Sequence, residues 1–553
     1  MIFAKKLMAL AAALLIATPA FATGLIDNVN GLTVDETGEL VHFTGLVVDN
    51  DGRVQRRLSR GDKRPERPDF RYDGKGRTLI PGMIDAHGDV IELGFSRLNL
   101  DLSGATSLED AKQKIAAFAA ANPGRPWIIG SGWNHEAWGL GRFPNAADLA
   151  GLAGNRPIWL ERVDGHAGWA NDAALAAARI SATTKAPAGG RIIVEAGKPS
   201  GILVDKAMAL MAPALPVRQA KDYDAALEQS QKALLARGVT AIADMGTTIE
   251  DWQAYRRAGD RGALRIRIMG YARGMDQAQI IAGPGPTPWL YDDRLRLGGV
   301  KLVVDGALGS RGAWLKAPYA DAPKESGLQL LTSAQLRNQM SRAAMDGFQL
   351  AIHAIGDMAN AEALDAIDEL GPTYKGDRRW RIEHAQVVDP VDLRRFTVNG
   401  IIASMQPQHA TSDWKMAEQR LGAARLTGAY AWRTMLDNKV PLAFGSDVPV
   451  EPADPFIGLK SALTRTDARG EPFGGWMPEQ RVTLAEALRA YTRGAAYAGF
   501  AEQKFGNLEP GQRADFLIID RDLELASPAD LPTTQILEVW LSGKRASVTE
   551  NAR

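Results

Sequence analysis

Between about residues 80 and 500, short apolar runs rich in β-branched residues alternate with longer Ala- and Leu-rich stretches of helical period. This is the texture of parallel strands joined by helical crossovers. Eight candidate strands end near His87-Gly88-Asp89 and in "VTAIADMG", "LRIRIMGYA", "GVKLVVDGALGS", "FQLAIHAIGD", "RWRIEHAQ", "IIASMQPQHA" and "VPLAFGSDVP". Eight βα units predict an α/β fold, a (β/α)8 barrel of the TIM type, with its active site at the C-terminal strand ends. About 150 residues separate the first run from the second, far more than one crossover needs. An insertion is therefore predicted over roughly Arg125 to Ala236, carrying "WIIGSGWNHEAWG" and "IWLERVDGHAGWAN". Its Trp and Gly content suits a lid or substrate wall, or equally an aromatic core of its own.

The two ends read differently. "GLIDNVNGLTVDETGELVHFTGLVVDNDGRV" near the start and "FGNLEPGQRADFLIIDRDLE" with "QILEVWLSGKRASV" near the finish are short apolar runs broken by Gly-containing turns. They predict one small β-sandwich, residues 23–80 plus 505–553, bracketing a barrel of residues 81–504. Before it, "MIFAKKLMALAAALLIATPAFATG" sets two lysines ahead of an apolar run ending in Ala20-Phe21-Ala22. That pattern predicts a secretory signal over residues 1–22, hence export to a periplasmic or extracellular space, with no membrane association after its removal.

Lysine plus arginine and aspartate plus glutamate both total 65, which removes the electrostatic case for nucleic acid or a charged membrane and leaves a small molecule as the partner. The chain has no cysteine, so a metal would have to be held by histidine, carboxylate or modified lysine.

Three of the seven histidines, His87, His353 and His384, sit at or just after strand-like runs, as do Asp447 in "LAFGSD" and Lys301 in "GVKLVVDG". Barrel geometry converges such positions on one mouth. Neutral imidazole suits zinc, and a metal lowers the pKa of its water to about 7, which makes attack on an acyl carbon feasible. Asp447 could take that proton and return it to a leaving nitrogen.

The stretches "PGMIDAHGD", "GSGWNHE", "DGHAGWAN", "VKLVVDGALGSR", "IHAIGD", "RIEHAQ", "SMQPQH", "GSDVPVE" and "LEPGQRADF" together resemble the amidohydrolase superfamily, in its YtcJ-like branch, amidohydrolase family 3, which includes N-substituted formamide deformylases. The resemblance runs the length of the chain. It implies a hydrolase with one or two divalent ions, commonly zinc, and, as often in this family, a homodimer. Carried over position by position, His87, Lys301, His353, His384 and Asp447 would be metal ligands, with Asp447 and His384 the catalytic pair and Lys301 open to carboxylation. The same lysine could instead pair with Asp305 or another carboxylate. Trp133, His166, Arg311 and His409 match stretches that line this family's pocket, although packing, a hydrogen bond or a salt bridge would also account for them; His135 is given no role.

Where the family has His-x-His on its first strand, this chain has His87-Gly88-Asp89. Period-two geometry puts Asp85, His87 and Asp89 on one face, so Asp89 is carried as a metal ligand in the second histidine's place. A weakened second metal and an inactivating change are the alternatives. The expected activity is hydrolysis of an amide or related C–N bond in a small N-acyl or N-formyl compound. Ester, lactone or carbamate hydrolysis, deamination, and a non-catalytic binding protein with a degraded metal site are its rivals.

Overall fold

The computed structural model describes residues 23–546; the predicted secretory signal lies outside the described residues. Eight parallel strands form the central sheet: β1 (Met83–Gly88), β2 (Val239–Thr247), β3 (Arg267–Arg273), β4 (Leu295–Val303), β5 (Gln349–Ala354), β6 (Arg381–His384), β7 (Ile402–Met405) and β8 (Leu442–Phe444). Each pairs with its sequence neighbour, so the eight predicted runs appear in order around one barrel. β2 and β5 are buried at every position, which is why they read as near-continuous apolar runs rather than alternating ones.

β1 and β8 meet through a parallel bridge between Gly88 and Val448. Asp447 N–H donates to His87 O at 2.7 Å and Asp89 N–H to Val448 O at 2.8 Å. Below this seam the buried Asp85 carboxylate accepts from the N–H groups of His87 and Ser446, at 3.1 and 2.9 Å, and from Ser446 Oγ. Closing the barrel therefore sets His87 against Asp447.

The helix α1 (Val90–Leu98) follows β1, and α2 (Ala220–Ala236) leads into β2. α2 buries Ala226, Leu227, Ser230, Gln231, Leu234 and Leu235, one stripe at helical spacing, and Ser230 Oγ donates to Val90 O on α1. Thus α2 belongs to the barrel wall, and the excursion starts earlier than the predicted Arg125. Its six-stranded sheet uses Leu100–Asp101, Ile128–Trp133, Ile158–Arg162, Ala167–Ala170, Gly190–Glu195 and Lys198–Asp205. Composition masked the start because the helix Leu108–Ala121 reads like another crossover.

Strands from both ends of the described chain share an eight-stranded mixed sheet. Thr78–Pro81 pairs with Phe516–Ile519 and, on its other side, with Thr23–Val34. Hydrogen bonding joins these strands into one connected sheet. Ile26, Leu46, Val48, Phe516, Ile518 and Trp540 meet in its apolar cluster. Among the described residues no helix is long and apolar enough to cross a membrane.

Candidate metal centre

At the C-terminal mouth, His87 from the end of β1, His384 ending β6 and Asp447 just past β8 bring ligand atoms within 4.8 Å of one another. His87 Nε2 is 3.4 Å from Asp447 Oδ1, and His384 Nδ1 is 3.9 Å from Asp447 Oδ2. The rings of His353 and His87 each stand 4.6 Å, centroid to centroid, from that of His384. His384 and Asp447 have φ of 73° and 62°, a left-handed backbone that non-glycine residues adopt at a cost and that recurs at functional sites.

Burial and the nearby Lys301 hold His87 below the ordinary imidazole range, while burial and neighbouring imidazoles push His384 and His353 well below it. These shifts favour the neutral imidazole, the form that binds metal. Burial alone would raise Asp447, but His87, His409 and Lys301 outweigh it and keep the carboxylate ionised. His353 Nε2 is buried without a hydrogen-bond partner, its nearest carboxylate oxygen being Asp305 Oδ1 at 3.5 Å, and a buried polar atom without a hydrogen bond is costly unless something else meets it. Neutral imidazoles, an ionised carboxylate and an orphaned nitrogen suit a divalent ion with N and O ligands.

His87 is oriented from behind. Glu383 Oε2 accepts from its Nδ1 at 2.6 Å, leaving Nε2 to face the mouth. Glu383 is itself clasped by Arg381 at 2.5 and 3.0 Å, and Arg381 also donates to Ala86 O, Ser404 Oγ and Tyr271 Oη. Burial opposes charge on Glu383, but Arg381 and His87 hold it far below the usual carboxylate range. This carboxylate–histidine arrangement fixes ligand orientation at metal sites. Gln406 Oε1 lies 3.0 Å from His384 Nδ1. His409 bridges Asp447 at 3.1 Å and Glu451 at 3.2 Å, and these partners raise it well above the ordinary imidazole range despite burial.

Lys301 Nζ lies 3.1 Å from His87 Nε2 rather than on Asp305, and burial lowers its pKa even though Glu383, Asp89 and Asp447 favour the ammonium. Asp305 instead accepts from the N–H groups of Trp314, Ile355 and Gly356 at 2.8 to 3.0 Å, and burial pushes its carboxyl up to about 7.

The other predicted residues separate. His166 reaches the centre from the excursion: its ring is 5.3 Å from His353 and its Nδ1 is 2.6 Å from Asp205 Oδ1. Burial opposes the charge on His166, but Asp205 outweighs it and raises the imidazole to about 9. Asp89 stands outside the three-residue group. It is the N-cap of α1, where the strand has ended, and it lines a cavity of about 200 Å³ with Asp244, Asp251 and Arg273. Trp133 has no exposed surface; its indole N–H donates to Leu160 O at 2.9 Å and its ring packs in the core of the excursion. It is a core residue and does not line the centre. Arg311 is paired with Asp321 at 2.8 Å, which also takes Arg420.

The residues not foreseen, Glu383, Arg381, Asp205 and Gln406, act on the centre through other side chains, and Asp305 stands 3.5 Å from His353 Nε2. One signal was available for two of them: Arg381 and Glu383 lie two apart on β6, the period that shares a strand face.

A closed parallel barrel with imidazoles and a carboxylate converging at its C-terminal mouth defines a metal-dependent hydrolase of the amidohydrolase superfamily. The chain matches the profile Amidohydro_3, described as "Amidohydrolase family", over residues 72–546, and it belongs to that family. It is 32% identical over 517 residues to YtcJ of Bacillus subtilis (strain 168), covering 92% of this chain and 95% of that one. Similarity to the N-substituted formamide deformylase of Arthrobacter pascens is 28% over 487 residues, covering 85% and 88%. The crystal structure of a metal-dependent hydrolase from Pyrococcus horikoshii OT3 superposes with a TM-score of 0.73 at 28% identity, covering 92% of this chain and 99% of that one.

Proposed function

We propose that the protein hydrolyses an amide or related C–N bond in a small N-acyl or N-formyl compound. The observation that carries the proposal is the convergence of His87, His384 and Asp447 at the barrel mouth, beside His353, whose buried Nε2 makes no hydrogen bond. The name of the Arthrobacter pascens relative supports N-substituted formamides as the first substrates to try.

His87, His384 and Asp447 would hold one divalent ion, with zinc suited to the donor set, and His353 stands ready as a further nitrogen ligand. Such an ion supplies Lewis acidity, polarising a carbonyl and making water a stronger acid. The residues supply the rest. Asp447, ionised and 15% exposed at its side chain, can accept a proton from the attacking water at Oδ2 and return it to the leaving nitrogen. His409 Nε2, 3.1 Å from that same oxygen, holds the carboxylate in place. Glu383 keeps the His87 proton on Nδ1.

Lys301 belongs to the proposal in carboxylated form. An ammonium 3.1 Å from His87 Nε2 competes with a metal for that lone pair, whereas a carbamate adds a ligand and removes the positive charge. Native mass spectrometry detecting no added carbon dioxide on the metal-loaded protein would reject this part alone. Export, from the pattern over residues 1–22, is also part of the proposal.

The test is a screen of N-formyl and N-acyl amines against zinc-loaded protein. At least one is hydrolysed, and Asp447→Asn abolishes the turnover while the protein stays folded. A metal-loaded wild type inactive on every amide would reject the proposal.

A further inference from the structure

Two side chains of the excursion, His166 and Asp205, stand beside the barrel mouth. His166 lies in the turn before the strand Ala167–Ala170, and Asp205 is the last residue of Lys198–Asp205. Asp205 N–H donates to His166 O at 3.0 Å, and its Oδ1 accepts from His166 Nδ1 at 2.6 Å. The two strands thereby lock the imidazole from its backbone and from its ring.

Asp205 is held there against its own preference. Its φ of 50° and ψ of −125° lie where residues with a side chain rarely settle. Its carboxylate is 1% exposed, and Oδ2 is buried without a hydrogen-bond partner. The loop after β4 makes room for it, because a β-carbon on Gly306 or Gly312 would fall 2.6 or 2.5 Å from Oδ2. A buried carboxylate needs a compensating cation, and the His166 ring is its one side-chain donor among the described residues.

Lys301, His409 and His166 flank the centre. Lys301 is turned to His87 Nε2, and His409 spends both ring nitrogens on Asp447 and Glu451. His166 alone keeps a nitrogen free: Nε2 has no hydrogen bond among the described residues, and the ring stands 5.3 Å from His353. We propose that His166 is a catalytic residue that donates from Nε2 to the substrate's carbonyl oxygen, with Asp205 as its positioning residue. The inference rests on the amide-hydrolysis reading above. A donor placed where charge develops on that oxygen stabilises the transition state more than the ground state. The excursion is then part of the catalytic apparatus and more than a wall.

The test combines kinetics on the zinc-loaded protein, using an N-formyl amine that the wild type hydrolyses, with proton NMR of the histidine ring N–H groups. His166→Ala lowers kcat by ~10²-fold, the usual loss for one such donor, with KM little changed. His166→Gln, which keeps an N–H, recovers part of that loss. Asp205→Ala lowers kcat by ~10-fold, as loss of an orienting partner does, and removes the downfield resonance of the His166 Nδ1 proton. Asp205→Asn, still an acceptor, retains more activity. Zinc content is unchanged throughout.

Wild-type kcat in His166→Ala overturns the donor, and loss of zinc in that variant makes His166 a ligand instead. Persistence of the Nδ1 resonance in Asp205→Ala overturns the positioning role. A wild type inactive on every amide rejects the amide reading, and the donor to a carbonyl falls with it; an active wild type with an undiminished His166→Ala overturns the donor alone.

Discussion

Glu383→Gln perturbs the least accessible link of the centre. Both Glu383 and Arg381 have side chains with 0% exposure. The two carboxylate oxygens accept from Arg381 at 2.5 and 3.0 Å and from His87 Nδ1 at 2.6 Å. Glutamine offers one oxygen and one NH2 group, so in either orientation an N–H faces another N–H. Arg381 also loses its counter-charge within the barrel. Breaking a buried pair in this way costs roughly 3–5 kcal/mol. The low end applies, about 3 kcal/mol, because Arg381 keeps Ala86 O, Ser404 Oγ and Tyr271 Oη as acceptors. His87 loses the acceptor that keeps its proton on Nδ1, so zinc affinity falls by ~10–100-fold. Urea unfolding of the metal-free protein, followed by tryptophan fluorescence, reads the first effect, and competitive zinc titration reads the second. An unfolding free energy within about 0.5 kcal/mol of wild type, the range of an inconsequential surface change, together with unchanged zinc affinity, would refute the reasoning.

Two further outcomes follow from buried groups around the centre. Asp305→Ala strips the acceptor from the N–H groups of Trp314, Ile355 and Gly356, and at about 1–3 kcal/mol for each buried unpaired group it destabilises the protein by at least ~3 kcal/mol; Asp305→Asn, which retains an oxygen, loses less in the same urea assay. Acid loosens the excursion from the barrel at His135 and Glu136, where Arg420 reaches across to Glu136. Burial, aided by Arg162, lowers His135 to about 4; for Glu136 burial opposes, but His135 and Arg420 lower it to about 2. Both folded values lie below the unfolded ones, so each contribution is present above the unfolded pKa and lost as pH falls, over about 6.5 to 4 for His135 and 4.5 to 2 for Glu136. His135→Gln therefore flattens the decline in urea stability between pH 6.5 and 4, and an unchanged slope would contradict this.

The barrel was legible because its strands are buried on both faces and so announce themselves as apolar runs, and because strand ends converge by geometry. His87, His384 and Asp447 could be picked out on that ground alone. For Asp89 the period of two stops short: β1 ends at Gly88 and Asp89 caps α1, so the spacing alone does not say where its carboxylate goes. Trp133 shows the limit of composition, since a Trp- and Gly-rich stretch does not say which of its rings close a core and which line a cavity. Arg311 matched a stretch that lines this family's pocket, yet it is paired with Asp321. Asp205 and Asp305 act through partners 39 and 50 residues distant in sequence, pairings that only the folded chain creates. The helix Leu108–Ala121 hid the start of the excursion by resembling a crossover.

The central claim is that His87, His384 and Asp447 together hold a divalent ion used for hydrolysis. Metal-free protein reconstituted with zinc, desalted and measured by inductively coupled plasma mass spectrometry tests it most directly. The wild type is expected to retain about one equivalent, as a three-ligand catalytic site does, and the folded triple variant His87→Ala, His384→Ala, Asp447→Asn to retain almost none. Full zinc occupancy in that variant would contradict the account.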